Sequence, residues 1–384
     1  MRRWLTRWRQ WWPEGPAGRE IWQNLVFSRI ALLAVGWVAL AELPWQYISP
    51  TYNPSTNPLV LMWIRWDALW YTGIAQHGYW MQALAFFPLY PLLIAAFHAA
   101  FRLSFNVAAL VVSNVCLVLF QVTFYRLVRA YFPERVARRA VLFSLLFPTA
   151  FYLSGAYTEA LFMWLSTAAF LAARERRFWA VGVYGCLATL TRNEGAFLVI
   201  PFLWAYYQEH RWRITRDLVP LTLLPLAMLA FMAYQWRDFG NPLAFLAAQS
   251  YWGRQLSLPW RGIWLALGAI WQGGPLQASA VLSMIDLIAA VSSAVLWVYG
   301  LRKRFPPDWL VYWGVLWLVD VSAPVPSGQS PLLSMSRLVL VLFPSFVALS
   351  LIARNPGWRR LLTWTLTMLQ ALFFVIFTTW HWIA

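Results

Sequence analysis

The sequence contains few charged residues, and acidic residues are the scarcest of them. Only 14 of its 384 residues are Asp or Glu, and charged residues make up 11% of the chain, against about 25% of a typical soluble domain. Hydrophobic residues reach 61%, more apolar surface than a soluble fold can bury. Apolar runs near the roughly 20 residues that cross a bilayer recur along the chain. This composition excludes an ordinary soluble domain and predicts an all-α, polytopic integral membrane protein with ten to twelve crossings.

Cysteine is almost absent, and the common catalytic and cofactor motifs are missing. The two cysteines, Cys116 and Cys186, lie inside apolar runs, which argues against a disulfide framework or a Cys-based metal site. The chain has no Gly-rich phosphate loop, no DxD motif and no Ser, His and Asp set with meaningful spacing. We therefore expect no nucleotide hydrolysis, no metal and no other cofactor. An enzyme that works outside the cytoplasm has no access to nucleotide sugars. If such an enzyme transferred a sugar, its activated sugar donor would be carried by the membrane.

The excess of positive charge has a pattern that points to lipid. The net charge is +16, which taken alone would suggest a nucleic-acid partner. The arginines, however, cluster at the ends of apolar runs in the positive-inside pattern, where they attract anionic cytoplasmic lipid heads. We therefore expect membrane lipids, and no nucleic acid, as partners. The clusters lie at 2–9, 126–139, 174–177, 211–216, 302–304 and 354–360.

The first apolar run and the loop after it set the predicted topology. Run 25–43 is long for a signal-peptide core and has no convincing cleavage site, so we expect it to stay as a signal anchor with the amino terminus inside. In the first extracytoplasmic loop, about 44–82, segment 63–71 has the apolar spacing of a helix lying in the interface. The loop opens with prolines that prevent a continuous helix, namely Pro44, Pro50, Pro54 and Pro58.

The later runs complete a single membrane domain over residues 1–384. Runs 83–101 and 105–125 cannot both cross, because the basic link after them would then lie outside, and Pro88 and Pro91 predict that the first run is re-entrant or broken. We expect a second long external segment at about 237–275. The remaining predicted crossings are 140–155, 161–173, 178–191, 196–207, 218–236, 276–300, 309–321, 338–352 and a last run that ends near Trp382.

Asp67 is the strongest candidate for chemistry among the few acidic residues. It lies in the first external loop, beside Arg65, Trp66 and Trp70. A carboxylate that is partly desolvated next to cationic Arg65 can act as a general base. His77 is near enough in sequence to share the site. An Arg and Asp pair that merely anchors an interfacial helix is an equally open interpretation.

A second group of candidates lies at the predicted outer ends of later helices. Ionisable residues at membrane depth are costly and suggest function by default. Arg192, Asn193 and Glu194 form a triplet between two apolar runs, and Arg192 has the forked donors that bind phosphate. Glu159 follows Tyr157 at the start of a helix, where it can equally be a partner of the helix dipole. A structural pair of Arg192 with Glu194 also remains open.

Outer-side arginines complete the candidates. Arg254 and Arg337 lie away from the positive-inside face, so an anionic lipid phosphate would explain them, as would snorkelling to headgroups. Four acidic residues are set aside because they lack companions at helical spacing or cap helix ends. These are Asp286, Asp320, Glu42 and Asp238.

Several short motifs also follow a fixed order between about residues 60 and 345. They are Trp66-Asp67-Ala68, Ile74-Ala75 with Gly78-Tyr79, Phe86-Phe87-Pro88-Leu89-Tyr90-Pro91, Phe147-Pro148, Ser154-Gly155-Ala156-Tyr157-Thr158-Glu159, Thr191-Arg192-Asn193 with Gly195, Asn241-Pro242-Leu243-Ala244-Phe245 with Gln249 and Trp252, and Ser336-Arg337 ahead of Leu342-Phe343-Pro344. In this order they resemble the PIG-V-type mannosyltransferases, which add a mannose in glycosylphosphatidylinositol assembly, and their prokaryotic relatives, all of the GT-C class.

The resemblance implies a GT-C type helical transmembrane fold with interfacial helices in the first external loop. It further implies a polyprenyl- or dolichyl-phosphate sugar donor, inversion at the anomeric carbon, and Asp67 as the catalytic base. The matching motifs add a further set of residues to the predicted substrate-binding site. These are Trp66, Tyr79, Tyr157, Gln249 and Trp252.

Together these features predict an inverting glycosyltransferase. It would move a hexose, mannose by the resemblance, from a polyprenyl-phosphate donor to a lipid or glycan acceptor at the extracytoplasmic face. Two alternatives stay open. Broken helices and buried charges also suit a lipid flippase or transporter, although no inverted repeat supports one. A non-catalytic subunit of a glycan assembly complex is the other, and it should tolerate Asp67→Asn.

Overall fold

The computed structural model describes residues 13, 15–44, 55, 57–211, 213–274 and 276–383. Throughout these ranges the regular secondary structure is helical, which confirms the predicted all-α class. Pro50, Pro54 and the arginine cluster at 2–9 lie outside the described residues. The helices are α1 (Gly15–Glu42), α2 (Pro58–Leu61), α3 (Asp67–His77), α4 (Leu89–Phe101), α5 (Phe105–Arg129), α6 (Glu134–Leu146), α7 (Glu159–Arg174), α8 (Phe178–Thr189), α9 (Val199–His210), α10 (Leu223–Phe239), α11 (Ala244–Tyr251), α12 (Pro259–Gln272), α13 (Ala278–Arg302), α14 (Pro307–Val321), α15 (Met335–Leu338), α16 (Pro344–Ile352) and α17 (Pro356–Thr378).

The protein is a multi-pass membrane protein, but fewer of its helices have spanning length than the apolar runs predict. Among the described residues, five helices are long and apolar enough to cross a membrane, and a sixth span results if the bent pair Met335–Val341 and Pro344–Ile352 counts as one. The predicted number of ten to twelve is therefore wrong by this measure. Several predicted crossings are helices of 12 to 16 residues. The five long helices are α1, α5, Arg216–Phe239 (a 3₁₀ turn continued by α10), α13 and α17.

One long helix lies at the centre and the others at the periphery. In α5, 61% of the apolar stretch that could span the membrane is buried inside the protein, against 22 to 28% in the other four long helices. Helix α5 packs along α7, whose residues are almost all buried. The peripheral helices expose large apolar side chains, such as Phe27 and Trp37 on α1. Exposed apolar faces of this kind suit contact with lipid tails rather than with water.

The predicted break in run 83–101 is present. Residues Met81–Ala85 form a 3₁₀ turn, Phe86 is extended, and α4 starts only at Leu89. Pro88 explains the break, because proline has no amide donor and disfavours a helical conformation in the residue before it. The amide of Leu89 donates instead to the carbonyl of Leu190, 2.9 Å away, so the start of α4 is attached to the end of α8.

The first loop differs from the prediction in where its helix begins. Segment 63–71 was expected to be one interfacial helix, but α3 begins at Asp67. Trp66 has φ 49° and ψ −115°, a conformation that no helix continues through. Asp67 follows in the first turn of α3, where a carboxylate is favoured by the helix dipole. The segment at 237–275, predicted to be external, contains α11 and α12, so it is largely helical.

Candidate functional site

A cavity of about 570 Å³ lies between the first loop, the ends of α7, α8 and α14, and the segments before α12 and around α15. Both charged and aromatic side chains line it. Phe86, Phe197, Trp252 and Trp382 provide aromatic surface. The ring of Trp252 packs edge-on against Trp70, with centroids 5.2 Å apart, which fixes the wall at that point.

Five charged side chains that line the cavity form a continuous row. Arg337 Nη1 lies 2.7 Å from Asp67 Oδ2, and Arg337 Nε lies 3.5 Å from Glu159 Oε1. Arg192 donates to the same Glu159 oxygen at 2.8 Å and to Glu194 Oε1 at 3.0 Å. The row therefore alternates carboxylate and guanidinium from Asp67 to Glu194. Three acids and two arginines leave it with a formal charge of −1.

Local structure explains how these side chains reach the cavity. Asp67 and Glu159 are the first residues of α3 and α7, where the helix dipole favours negative charge. Arg192 is extended, between α8 and the 3₁₀ turn Asn193–Leu198. Gly195 allows this turn to pack closely against the end of α8, because a Cβ there would lie 2.4 Å from the carbonyl oxygen of Ala188. A larger residue would displace the turn that carries Glu194.

The row is buried but not fully satisfied. Glu159 is 1% exposed, Glu194 is 7% exposed and Arg192 is 9% exposed. Within the described part of the chain, Oε2 of Glu159, Oε2 of Glu194 and Nε of Arg192 have no hydrogen-bond partner. Buried polar atoms without partners are rare in native proteins and costly. Their concentration at one cavity indicates a polar ligand there.

Arg254 and Asp320 face the same cavity from other segments. Arg254 donates to the carbonyls of Ala323 and Leu333, each at 3.3 Å. Burial lowers the pKa of Arg254, and among its neighbours the carboxylate of Asp320 does most to raise it. No Asp or Glu oxygen in the described ranges lies within 4.0 Å of the Arg254 guanidinium, in contrast to Arg192 and Arg337.

The structure brings most of the predicted site residues to this cavity. The predicted residues that line it are Asp67, Glu159, Arg192, Asn193, Glu194, Gln249, Trp252, Arg254 and Arg337. Five others lie elsewhere, namely Arg65, Trp66, His77, Tyr79 and Tyr157. As for metals, no group of three or more His, Cys, Asp or Glu side chains in the described residues is arranged to hold an ion. Arginines neutralise the carboxylates of the row instead.

The predicted pairing of Arg65 with Asp67 is wrong. The guanidinium of Arg65 is fully buried and donates to the carbonyl of Thr378 through Nε and Nη2, at 3.0 and 2.8 Å. It also lies over the ring of Trp380. Arg65 therefore anchors the end of α17, while Arg337 takes its place as the cation beside Asp67. The turn at Trp66 separates the two neighbouring side chains.

The other four residues outside the cavity support it or point away. The hydroxyl of Tyr157 donates to the carbonyl of Arg65 at 2.8 Å, and its ring lies 5.5 Å from the Arg337 guanidinium, behind the row. Trp66 packs edge-on against Trp382. The hydroxyl of Tyr79 donates to the carbonyl of Phe86, and His77 is exposed at the end of α3.

Sequence reasoning missed two carboxylates that it had set aside. Asp320 lines the cavity directly. Asp286, on α13, accepts a hydrogen bond of 3.0 Å from the amide of Ser336, the residue before Arg337, and so holds the Arg337 segment in place. Both are carboxylates at membrane depth, a signal of function in itself. Neither has a companion at helical spacing in the sequence, because the polar groups around them belong to other segments.

Comparison with known proteins gives the family. A membrane-embedded, all-helical chain with a cavity lined by charged side chains defines an integral membrane protein with a site for a polar ligand. The family model described as Mannosyltransferase (PIG-V) matches residues 39–305, more than half of the chain. The chain belongs to the PIG-V mannosyltransferase family, which confirms the resemblance. Asp67, Glu159, Arg192, Glu194 and Arg254 lie inside the matched range, while Asp320 and Arg337 lie beyond it.

Individual relatives match over shorter stretches. The chain is 31% identical to GPI mannosyltransferase 2 of Schizosaccharomyces pombe over 150 residues, 38% of this chain and 32% of that protein. It is 34% identical to GPI alpha-1,6-mannosyltransferase 2 of Cricetulus griseus over 143 residues, 34% of this chain and 29% of that protein. The matches thus span about a third of these curated relatives. Among solved structures, the Archaeoglobus fulgidus oligosaccharyltransferase tethered with an acceptor peptide is similar, with a TM-score of 0.47 at 11% identity over 94% of this chain and 55% of that chain.

Proposed function

We propose that this protein is an inverting mannosyltransferase of the GT-C type. It takes mannose from a polyprenyl- or dolichyl-phosphate donor and transfers it to a hydroxyl of a lipid or glycan acceptor at the extracytoplasmic face. The observation that carries the proposal is Asp67. Its carboxylate lies on the wall of the cavity, oriented by an ion pair of 2.7 Å with Arg337.

Asp67 acts as the general base. An acceptor hydroxyl is a poor nucleophile until a carboxylate removes its proton. Asp67 takes that proton while the acceptor oxygen forms a bond to the anomeric carbon. The bond between that carbon and the phosphate oxygen breaks, and the leaving polyprenyl phosphate carries away the electron pair. Because the acceptor attacks the face opposite the phosphate in one step, the configuration inverts.

Arg254 binds the donor phosphate. Arg192 and Arg337 each already contact two carboxylates, whereas Arg254 contacts backbone carbonyls only. Its charge is therefore the least neutralised of the three cavity arginines. Charge-assisted hydrogen bonds from a guanidinium suit phosphate oxygens and stabilise the negative charge that develops on a leaving phosphate.

The orientation of α7 supports an extracytoplasmic site. Its first residue, Glu159, lies in the cavity, and its last, Arg174, begins the basic cluster 174–177. At about 1.5 Å per residue, this helix places the two ends roughly 22 Å apart. The positive-inside rule assigns the basic end to the cytoplasm. The cavity then lies toward the opposite face.

A donor comparison tests this function. Purified protein in vesicles is incubated with a membrane-lipid extract and either radiolabelled polyprenyl-phosphate mannose or radiolabelled nucleotide-linked mannose. We expect label in an acceptor only with the lipid donor. Transfer from the nucleotide donor alone would contradict the donor class. If the protein binds the lipid donor and transfers nothing, the enzyme assignment is wrong, and lipid translocation becomes the activity to assay.

Replacing Arg254 by glutamine is expected to raise the KM for the lipid donor. The loss of a charged hydrogen bond to phosphate should raise this KM about 10- to 100-fold. Steady-state kinetics at saturating acceptor measure the change. Arg261→Gln is the matched control, because Arg261 is exposed on neighbouring α12 and does not line the cavity. An equal KM in the Arg254 variant and the control would remove Arg254 from the phosphate site.

A further inference from the structure

Two carboxylates on one part of the cavity wall have acceptor atoms without donors. Asp320, near the end of α14, is 8% exposed and lines the cavity. Its side chain has no hydrogen bond and no ion pair within 4.0 Å among the residues that the structure describes. Glu194 lines the same cavity, and its Oε2 is buried without a partner. Helix α14 packs against the turn that carries Glu194, so the two carboxylates belong to adjoining segments.

The charges around this pair do not satisfy it. Glu194 uses only Oε1 for its bond with Arg192. The guanidinium groups of Arg192 and Arg254 both act on Asp320 from beyond 4.0 Å. Arg192 is bonded to Glu159 and Glu194, and Arg254 donates to the carbonyls of Ala323 and Leu333. A buried carboxylate oxygen that lacks a donor loses the hydrogen bonds that it would make in water. A ligand rich in hydroxyl groups supplies such donors.

We propose that Asp320 and Glu194 form the subsite that binds the hydroxyl groups of the donor's sugar. This inference rests on the proposed function, in which Arg254 binds the phosphate. The sugar is joined to that phosphate through one oxygen, so it lies close to Arg254. The carboxylates of Asp320 and Glu194 are both charged neighbours of that guanidinium and line the same cavity. Trp252 and Trp382 line the cavity as well and offer aromatic surface to the apolar C–H face of a hexose.

This arrangement gives the two ends of the charged row different tasks. Asp67, paired with Arg337, removes the acceptor proton, and Glu159 is shared between both arginines. Glu194 and Asp320 are left to hold the sugar. Sites built to hydrogen-bond a substrate hydroxyl discriminate strongly against analogues that lack it, because the buried acceptors are then left unpaired. Asp320 is accordingly a determinant of sugar specificity.

A binding comparison isolates the sugar subsite from the rest of the donor. The dissociation constants of polyprenyl phosphate and of polyprenyl-phosphate mannose are measured for the wild type, Asp320→Asn and Asp320→Leu. We expect the wild type to bind polyprenyl-phosphate mannose about 10- to 100-fold more tightly than polyprenyl phosphate. This difference in affinity is the sugar increment. Asp320→Asn should keep part of this increment and Asp320→Leu should lose it. The affinity for polyprenyl phosphate itself should change little.

Asp308→Asn is the matched control. Asp308 is a buried carboxylate at the other end of α14 and does not line the cavity, so the sugar increment should persist in this variant. Thermal unfolding checks that all variants fold alike. An increment that is absent in the wild type, or unchanged in Asp320→Leu, overturns the subsite. If Asp320→Leu keeps the increment and raises the KM for the acceptor, the residue binds hydroxyl groups of the acceptor, and the donor-sugar subsite is likewise overturned.

The same experiment separates the subsite from the enzymatic proposal. If the increment depends on Asp320 but no transfer occurs, the sugar subsite stands and the proposed transferase activity is wrong. If transfer occurs while the increment is independent of Asp320, only the subsite is overturned.

Discussion

Asp67→Asn is expected to lower the rate of sugar transfer by about 10²- to 10⁴-fold, the usual contribution of a positioned general base. Asparagine has nearly the same size as aspartate, and its amide oxygen can still accept the hydrogen bond from Arg337 Nη1. It cannot take the acceptor proton. Single-turnover kinetics at saturating donor measure the chemical step, and the affinity for the donor should stay within about threefold of the wild type.

Asp238→Asn is the control for this substitution. Asp238 pairs with Arg237 near the end of α10, outside the cavity, so its neutralisation should leave transfer unchanged. Wild-type rates in Asp67→Asn would show that another group accepts the proton. A loss of donor binding equal to the loss of rate would instead assign Asp67 to binding.

Arg192→Leu is expected to have the largest effect on stability. Glu194 loses its hydrogen-bonded cation, and Glu159 keeps only the contact with Arg337 at 3.5 Å. Removing one partner of a buried ion pair costs about 3–5 kcal/mol, because a charge remains uncompensated in a poorly solvated site. Denaturant unfolding in detergent, followed by tryptophan fluorescence, measures the free energy of unfolding.

Two further variants test this explanation. Arg192→Leu combined with Glu194→Gln should recover part of the lost stability, since the second change removes the uncompensated charge. Arg237→Leu is the matched control, because Arg237 forms an ion pair with Asp238 on the exposed surface, where such pairs contribute little. If Arg192→Leu is as stable as Arg237→Leu, the row does not stabilise the fold.

The bilayer made the long helices predictable from the sequence. Runs 105–125 and 276–300 correspond to α5 and α13, because an apolar stretch of this length that ends at an arginine has few alternatives to a spanning helix. Shorter runs were less certain. Run 140–155 contains the second half of α6 and the 3₁₀ turn Ala150–Leu153. The two are separated because Phe147 precedes Pro148 and is extended, with ψ 141°. That proline was visible in the sequence and should have shortened the predicted crossing.

The candidate site was partly predictable because ionisable residues are scarce in this chain. Asp67, Glu159, Arg192 and Arg337 are each candidates because an ionisable residue in an apolar chain or on its predicted outer side needs a reason, and they meet in one cavity. Which residues pair could not be read from sequence distance. Asp67 binds Arg337, 270 positions away, and not Arg65, two positions away. Asp320 was set aside for the same reason, since its charged neighbours lie on other segments.

The anomeric configuration of the product tests the central claim most directly. Polyprenyl-phosphate mannose labelled with ¹³C at the anomeric carbon is converted by the wild-type protein, and the one-bond carbon–hydrogen coupling of the transferred sugar is measured by NMR. A single displacement with Asp67 as base predicts a configuration opposite to that of the donor. Retention of the donor's configuration would require a covalent intermediate or another catalytic group, and would contradict the role assigned to Asp67.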